Sequence, residues 1–179
     1  MDTKTYALRG IIVHTPDFNT IEYHENEYVV CEYGVSKGIF KELPEEYREI
    51  PVIDYKDKFI IPGMCDMHVH APQYGFRGIG MLLDCNSEWE TWFDKYSFPE
   101  ESRYADIVYA KKAYTRFADD MLTKTTTTRA SVFATIHRPA TEFLMRKMAD
   151  AGMAAYVGKL NMDRNSRFGL QETTEETLE

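Results

Sequence analysis

The sequence predicts an α/β fold in which a small β-sandwich-like module, residues 1–61, precedes the first part of a (β/α)8 TIM-like barrel, residues 62–179. Residues 1–61 contain short apolar runs without helical periodicity, which is typical of strands. From residue 62 onwards, strand-like and helix-like segments alternate, and this order implies parallel strands joined by right-handed crossovers. We favour a barrel over a doubly wound sheet because no glycine-rich phosphate turn follows these strands.

The N-terminal module is expected to form four short strands. They are predicted over residues 6–15, 27–33, 38–40 and 59–61, and polar turns separate them. His14 and His24 lie in this module and are expected to take no part in catalysis.

The barrel part is expected to begin with a strand over residues 64–70 and a long, aromatic-rich connection over residues 71–102. A connection of that length is usually functional. Ser102 is predicted to cap a helix that runs to Lys124, because apolar residues recur there at helical spacing. The remaining predicted elements are a strand over residues 126–135, a helix over residues 139–151 and a strand over residues 154–162.

The last residues have the pattern of another helix start. Thr173 and Glu176 have the spacing of a capping box. Only three residues follow Glu176, too few for a helix to sustain itself. A barrel needs eight strand–helix units and roughly 250 residues, whereas about three strands are expected here. We therefore expect a truncated barrel.

Composition excludes several classes of function. The net charge of −8 argues against a nucleic-acid binder, which needs a clustered basic face. No apolar run is long enough to span a bilayer, and no export signal is recognisable, so a cytoplasmic location without membrane contact is expected. Cys31, Cys65 and Cys85 have no CxxC spacing and are expected to be reduced thiols.

The most informative motif for chemistry is the pair His68 and His70. Residues at i and i+2 of a strand project from the same face, so both imidazoles can reach one cation at about 2.0–2.1 Å. At the C-terminal end of a barrel strand, such a pair lies where barrel enzymes keep their active sites. A His-x-His pair alone is weak evidence for a metal site, and the residues around the pair determine how strongly it indicates one.

Those surroundings resemble the amidohydrolase superfamily, which opens its barrel with an apolar strand, a Pro-Gly turn and Asp-x-His-x-His, as residues 59–70 do. Residues 70–74 and 92–100 are similar to two motifs of the guanine deaminases. Residues 133–137 and 156–163 look like the second and third barrel strands of the same family. Four motifs therefore occur in the family's order.

The resemblance implies hydrolytic deamination of guanine, a small-molecule purine, to xanthine and ammonia. It implies a bound cation, Zn²⁺ or iron, with His68 and His70 as ligands and Asp66 as a supporting carboxylate. It further implies that Gln73 contacts guanine. Trp92, together with Tyr96 and Phe98, could line a flat apolar pocket for the base. No catalytic acid–base residue is expected before Glu179, and an intact relative is expected to be a homodimer.

Several alternatives stay open. The substrate could be another purine, a pterin or a triazine, or the chain could be a non-catalytic, metal-binding remnant. Gln73 could instead bond to the backbone, and the aromatic side chains of Trp92, Tyr96 and Phe98 could pack beneath the loop. His137 receives no role. The family usually has Asn-Gly where residues 125–126 are Thr-Thr, so a rearranged or strained turn is expected there.

Overall fold

The computed structural model describes residues 4–79 and 92–178. The chain folds as two compact units, Met1–Pro62 and Gly63–Glu179, which are described separately. Within the described ranges, no helix has the length and apolar character that a membrane crossing needs. Cys31 and Cys65 are free thiols, whereas Cys85 lies outside the described residues.

The first unit is a four-stranded sheet in the order β3-β2-β1-β4. Its strands are β1 (Thr5–His14), β2 (Glu22–Glu32), β3 (Val35–Phe40) and β4 (Val52–Ile60). The first three strands pair antiparallel, and β4 pairs parallel with β1.

The predicted starts of β2 and β4 were wrong by five and seven residues. Neither strand start has the apolar pattern from which strands are predicted, because the first residues of β2 are rich in glutamate and β4 is exposed along most of its length. Backbone pairing with β1 holds both segments in the sheet, from Glu22 opposite His14 and from Val52 opposite Ala7.

The second unit confirms the α/β class. Its sheet consists of three parallel strands, β5 (Met64–His70), β6 (Thr127–Phe133) and β7 (Ala154–Gly158), in that order. Its helices are α1 (Phe98–Ser102), α2 (Ile107–Lys124), α3 (Arg138–Asp150) and α4 (Thr174–Leu178). A 3-10 turn over Ala71–Phe76 and a π-helical turn over Phe93–Ser97 occupy parts of the predicted long loop. Of that loop, residues 80–91 lie outside the described part.

The core of the second unit lies between the sheet and helices α2 and α3. Most of the apolar stripe predicted on α2 is buried there, although its members Val108 and Leu122 are exposed. Full burial of one large apolar side chain stabilises a fold by about 1.5–3 kcal/mol. The largest completely buried side chains include Tyr114, Phe117, Leu144, Met148 and Val132.

Helix α2 does not begin at Ser102 as predicted. The Asp106 carboxylate accepts hydrogen bonds from the backbone N–H groups of Val108 (2.8 Å) and Tyr109 (3.4 Å), and Ile107 is the first helical residue. Ser102 ends the preceding helix, and its hydroxyl donates to the Pro99 carbonyl. Aspartate is as good a helix cap as serine, and here the aspartate lies nearer the apolar stripe.

The other helix ends agree with the sequence signals. Pro139 lies in the first turn of α3, and Gly152, which has φ +73°, follows the helix end. At α4 the Thr173 N–H donates to the Glu176 carboxylate (2.7 Å), and the Glu176 N–H donates to the Thr173 hydroxyl (3.1 Å). These reciprocal bonds form the predicted capping box.

The turn from α2 to β6 has no residue with a positive φ. Thr125 is extended, with φ −128°, and Thr126, which stands where the family has glycine, has no positive φ either. Its hydroxyl donates to the Met121 carbonyl (2.6 Å) and accepts from the Thr127 N–H (3.1 Å). The hydroxyl thus satisfies groups that the helix end leaves without backbone partners.

Candidate metal and substrate site

Strand β5 brings the two predicted histidines together at its C-terminal end. The Nε2 atoms of His68 and His70 are 3.1 Å apart. Two bonds of about 2.0–2.1 Å to one cation can span nitrogens up to about 4 Å apart, so this separation fits a shared metal ion. Burial, followed by the nearby His68, lowers the pKa of His70, which favours the neutral imidazole that binds metals.

Phe133, at the end of β6, lies against both imidazoles. Its ring centroid is 4.8 Å from each, stacked at 15° on His70 and tilted at 40° to His68. The pairing of His70 with Phe133 across the parallel strands produces this contact. Asp66 supports the same strand, because its carboxylate accepts a hydrogen bond from the His68 backbone N–H (3.1 Å).

The His70 ring has one unsatisfied nitrogen. Its Nδ1 atom is buried and has no hydrogen-bond partner among the described residues. A buried polar atom left without a partner costs about 1–3 kcal/mol. This arrangement therefore does not serve the stability of the unit.

One cavity contains all four side chains that the sequence assigned to metal and substrate. It has a volume of about 620 Å³ and is lined by His68, His70, Gln73 and Trp92, together with Phe76 and Phe93. Small-molecule sites typically have volumes of about 300–1,000 Å³ and mostly apolar walls with a few polar groups. The cavity has a size and lining typical of a small-molecule site.

Gln73 is held by a buried polar network that the sequence did not predict. Its amide nitrogen donates to the Ser97 hydroxyl (3.2 Å) and to the Glu101 carboxylate (3.3 Å), and the Ser97 hydroxyl donates to the same carboxylate oxygen (2.8 Å). Ser97 is completely buried and Glu101 is 3% exposed. Because these bonds use the amide nitrogen, they fix the orientation of the amide and leave its oxygen available to another donor.

Burial raises the pKa of Glu101, and the hydrogen bonds from Ser97 and Gln73 partly oppose this effect. A buried carboxylate is costly unless it is well hydrogen-bonded. The sequence motifs over residues 70–74 and 92–100 contain Gln73 and Ser97, but neither motif contains Glu101 or reveals these contacts.

The turn that carries Gln73 is anchored to α2. The Tyr74 hydroxyl donates to the Asp120 carboxylate (2.5 Å), and the Arg77 guanidinium lies 3.9 Å from the centroid of the Tyr74 ring. Arg77 also donates to the Tyr74 carbonyl (2.7 Å). These contacts and the Glu101 network hold Gln73 from both sides.

The aromatic side chains of the loop divide between two roles. Trp92 lines the cavity and contacts Phe76 (ring centroids 5.8 Å apart) and Phe93 (5.2 Å). Phe98 stacks on Phe93 with centroids 5.3 Å apart and is not among the described residues that line the cavity, nor is Tyr96. The cavity wall and the packing behind it therefore use different members of one aromatic cluster.

His137 lies outside this cavity, at the residue before α3. Its Nδ1 atom is 2.9 Å from the Thr135 hydroxyl, and burial lowers its pKa. Lys159 and Glu172 form an ion pair nearby and act on its charge in opposite directions. His137 therefore has a local contact with Thr135 and is not among the described residues that line the cavity with His68 and His70.

A parallel sheet that ends in a histidine pair, with a small-molecule cavity beside it, is the class of architecture found in metal-dependent barrel hydrolases. The amidohydrolase family model matches residues 59–179. The chain belongs to the amidohydrolase family, whose superfamily is metal-dependent.

Within this family, the chain is similar to guanine deaminases of known sequence. The chain is 33% identical to the guanine deaminase of Dictyostelium discoideum in an alignment 187 positions long, gaps included, which covers 95% of this chain and 40% of that protein. It is 39% identical to the human guanine deaminase over 136 residues, or 75% of this chain and 28% of that protein. The chain therefore spans less than half the length of these relatives.

Among solved structures, the chain resembles the guanine deaminase of C. acetobutylicum with bound guanine in the active site. The TM-score is 0.88 at 36% sequence identity, and the match covers 97% of this chain and 40% of that one. The predicted resemblance to the guanine deaminases is confirmed.

Proposed function

We propose that this chain supplies two metal ligands and one wall of the substrate pocket of a guanine deaminase. The reaction is the hydrolysis of guanine with water to xanthine and ammonia. The observation that carries the proposal is the single cavity that joins the facing Nε2 atoms of His68 and His70 to the braced amide of Gln73. The solved relative with bound guanine supports this choice of substrate.

His68 and His70 would hold the cation. A donor set that begins with two imidazoles suits Zn²⁺ as well as iron, and we propose Zn²⁺. When bound, such a cation lowers the pKa of a water molecule so that hydroxide is available near neutral pH. Phe133 fixes the planes of both rings, and Asp66 fixes the backbone that carries His68.

The buried Nδ1 of His70, which has no partner among the described residues, would still need an acceptor for its N–H when Nε2 binds the cation. A catalytic zinc site needs at least three protein ligands, so two imidazoles do not complete it. We propose that the remaining ligands and the group that transfers protons belong to the part of the relatives' length that this chain does not span. In that account, β5, β6 and β7 are the first strands of a (β/α)8 barrel with its site at the C-terminal strand ends.

Gln73 would recognise the base through its amide oxygen, which can accept a hydrogen bond from an N–H group on the edge of guanine. Ser97 and Glu101 hold the amide nitrogen, so the oxygen is presented in a fixed direction before substrate binds. Trp92, Phe76 and Phe93 provide flat apolar walls for a planar base.

The test is guanine turnover by a chimaera in which this chain replaces the matching 40% of the Dictyostelium discoideum enzyme. We expect conversion of guanine to xanthine with zinc present. His68→Ala or His70→Ala should lower kcat/KM by more than about 100-fold, the upper loss seen when groups around metal ligands are changed. Met67→Ala, at an exposed neighbouring position, is the matched control.

Gln73→Leu should lower kcat/KM for guanine by about 10- to 100-fold, because a polar substrate edge would lose its partner. Gln171→Leu, at an exposed position, should change nothing. A folded, zinc-loaded chimaera without guanine turnover would refute the proposed substrate.

A further inference from the structure

The hairpin formed by β1 and β2 gathers a second set of metal-binding side chains. His14 on β1 lies opposite Glu22 on β2, and His24 follows Glu22 by two residues. Directly opposite residues and residues at i and i+2 share one face of a sheet. All three side chains therefore project from the same face, and their ligand atoms lie within 4.8 Å of one another.

The contacts within this group converge on one carboxylate oxygen. Glu22 Oε2 lies 3.0 Å from His14 Nε2 and 3.3 Å from His24 Nε2. His14 Nε2 is buried, yet its approach to Glu22 lacks the geometry of a hydrogen bond. Each of these two separations fits a pair of bonds of about 2.0–2.2 Å to one cation.

Glu27 lies beside the other ring nitrogen of His24. Its carboxylate lies 3.0 Å from His24 Nδ1. In a neutral ring that donates its Nδ1–H to Glu27, the Nε2 lone pair faces the Glu22 oxygen, so two acceptors confront each other. A cation between them relieves that repulsion. Histidines that bind metals almost always donate their other ring N–H to such a carboxylate.

We propose that His14, Glu22 and His24 bind one divalent transition-metal cation, with Zn²⁺ as the best fit, and that Glu27 orients His24. Two histidines and one glutamate are an established zinc donor set that leaves a fourth position for water. The Glu22 side chain is 44% exposed, which gives the ion access. All three side chains line one cavity of about 580 Å³ whose other walls are mostly apolar, and apolar surroundings strengthen charge interactions.

This site uses none of the residues of the proposed deaminase site, so the two proposals succeed or fail separately. The bound ion would join the ends of β1 and β2 where the hairpin opens into the loop over residues 15–21. Its role is to bind metal and fasten the hairpin, without catalysis.

The experiment is a Zn²⁺ titration of the chain carrying His68→Ala and His70→Ala, which removes the other histidine pair. We expect one equivalent of Zn²⁺ to bind. Adding His14→Ala or His24→Ala should weaken binding by at least about 100-fold, and Glu27→Gln should weaken it by about 10- to 100-fold because His24 loses its orientation. Glu25→Gln is the matched control, since Glu25 follows His24 on β2 and its carboxylate accepts a hydrogen bond from the Tyr23 hydroxyl instead.

A second measurement requires no substitution in the hairpin. NMR of the imidazole nitrogens of the unaltered chain should show that Zn²⁺ shifts the Nε2 signals of His14 and His24 while Nδ1 of His24 keeps its proton. If zinc leaves both hairpin histidines unchanged, or if His14→Ala and His24→Ala bind zinc as tightly as their background, the proposal is overturned.

Discussion

Gly63→Ala tests how closely β5 must approach β6. A Cβ atom built on Gly63 would lie 2.1 Å from Thr128 Oγ1, 2.4 Å from its Cγ2 and 2.8 Å from its Cβ. Ordinary contacts begin near 3.4 Å, so the strands or the Thr128 side chain must move by about 1 Å. No rotation of the Thr128 side chain removes the contact with its Cβ.

The sign of the change in the free energy of unfolding distinguishes a steric effect of Gly63→Ala from an effect on the entropy of the unfolded chain. Gly63 does not have a positive φ, so alanine is compatible with its backbone. By the entropy of the unfolded chain alone, Gly→Ala would stabilise the protein by about 0.4–1 kcal/mol. The clash predicts the opposite sign, because overpacking costs about 1–3 kcal/mol. We expect a net loss of about 1–2 kcal/mol.

The assay is urea denaturation of Gly63→Ala, Thr128→Ala and the double variant. Thr128→Ala removes two of the three short contacts and leaves only the one at 2.8 Å. Gly63→Ala should therefore cost less in the Thr128→Ala background, with a coupling energy of about 0.5–3 kcal/mol. A Gly63→Ala variant that is as stable as the parent, or that shows no coupling to Thr128, would refute the steric account.

Three further predictions concern the site and its scaffold. Burial raises the pKa of the Glu101 carboxyl above 4.5. The contribution of Glu101 to the free energy of unfolding is therefore greatest at low pH and is lost as the pH rises through the raised pKa. In urea denaturation, the Glu101→Gln variant should lose less stability than the parent between acid and neutral pH. Phe133→Ala removes the ring that packs against both imidazoles, so a calorimetric titration should show zinc binding at His68 and His70 weakened by about 10-fold or more. Unchanged zinc affinity would show that Phe133 does not hold the imidazoles in place for the metal. Asp106→Ala removes the cap of α2 and should cost about 1 kcal/mol in thermal unfolding, whereas Ser102→Ala should cost less.

The parts of the fold that the sequence revealed are those in which the side-chain pattern and the backbone agree. The period of α2, the capping box at Thr173 and Glu176, and the apolar strands β5 to β7 follow directly from local rules. The exposed strand β4 and the start of β2 do not, because their side chains are charged and only pairing with β1 makes them strands.

In the site, too, local patterns predict some contacts, whereas other contacts depend on tertiary packing. The spacing of His68 and His70 was sufficient to predict their meeting, because strand geometry is local. The bracing of Gln73 by Glu101 spans 28 positions along the chain, and the contact of Phe133 with both imidazoles depends on strand register. Such contacts depend on tertiary packing, which cannot be predicted from short-range patterns in a single sequence.

The group of His14, Glu22 and His24 was missed for a related reason. The sequence places His14 and His24 ten positions apart, with no ligand spacing between them. Only the antiparallel register, which sets Glu22 opposite His14, brings their ligand atoms together.

The most direct test of the central claim is the zinc dependence of guanine turnover by the chimaera that carries this chain. The account predicts that the metal-free protein is inactive, that added Zn²⁺ restores conversion of guanine to xanthine, and that no amount of zinc restores it after His68→Ala or His70→Ala. Zinc-restored turnover in either histidine variant, at a rate close to that of Met67→Ala, would contradict the assignment of the two imidazoles as metal ligands.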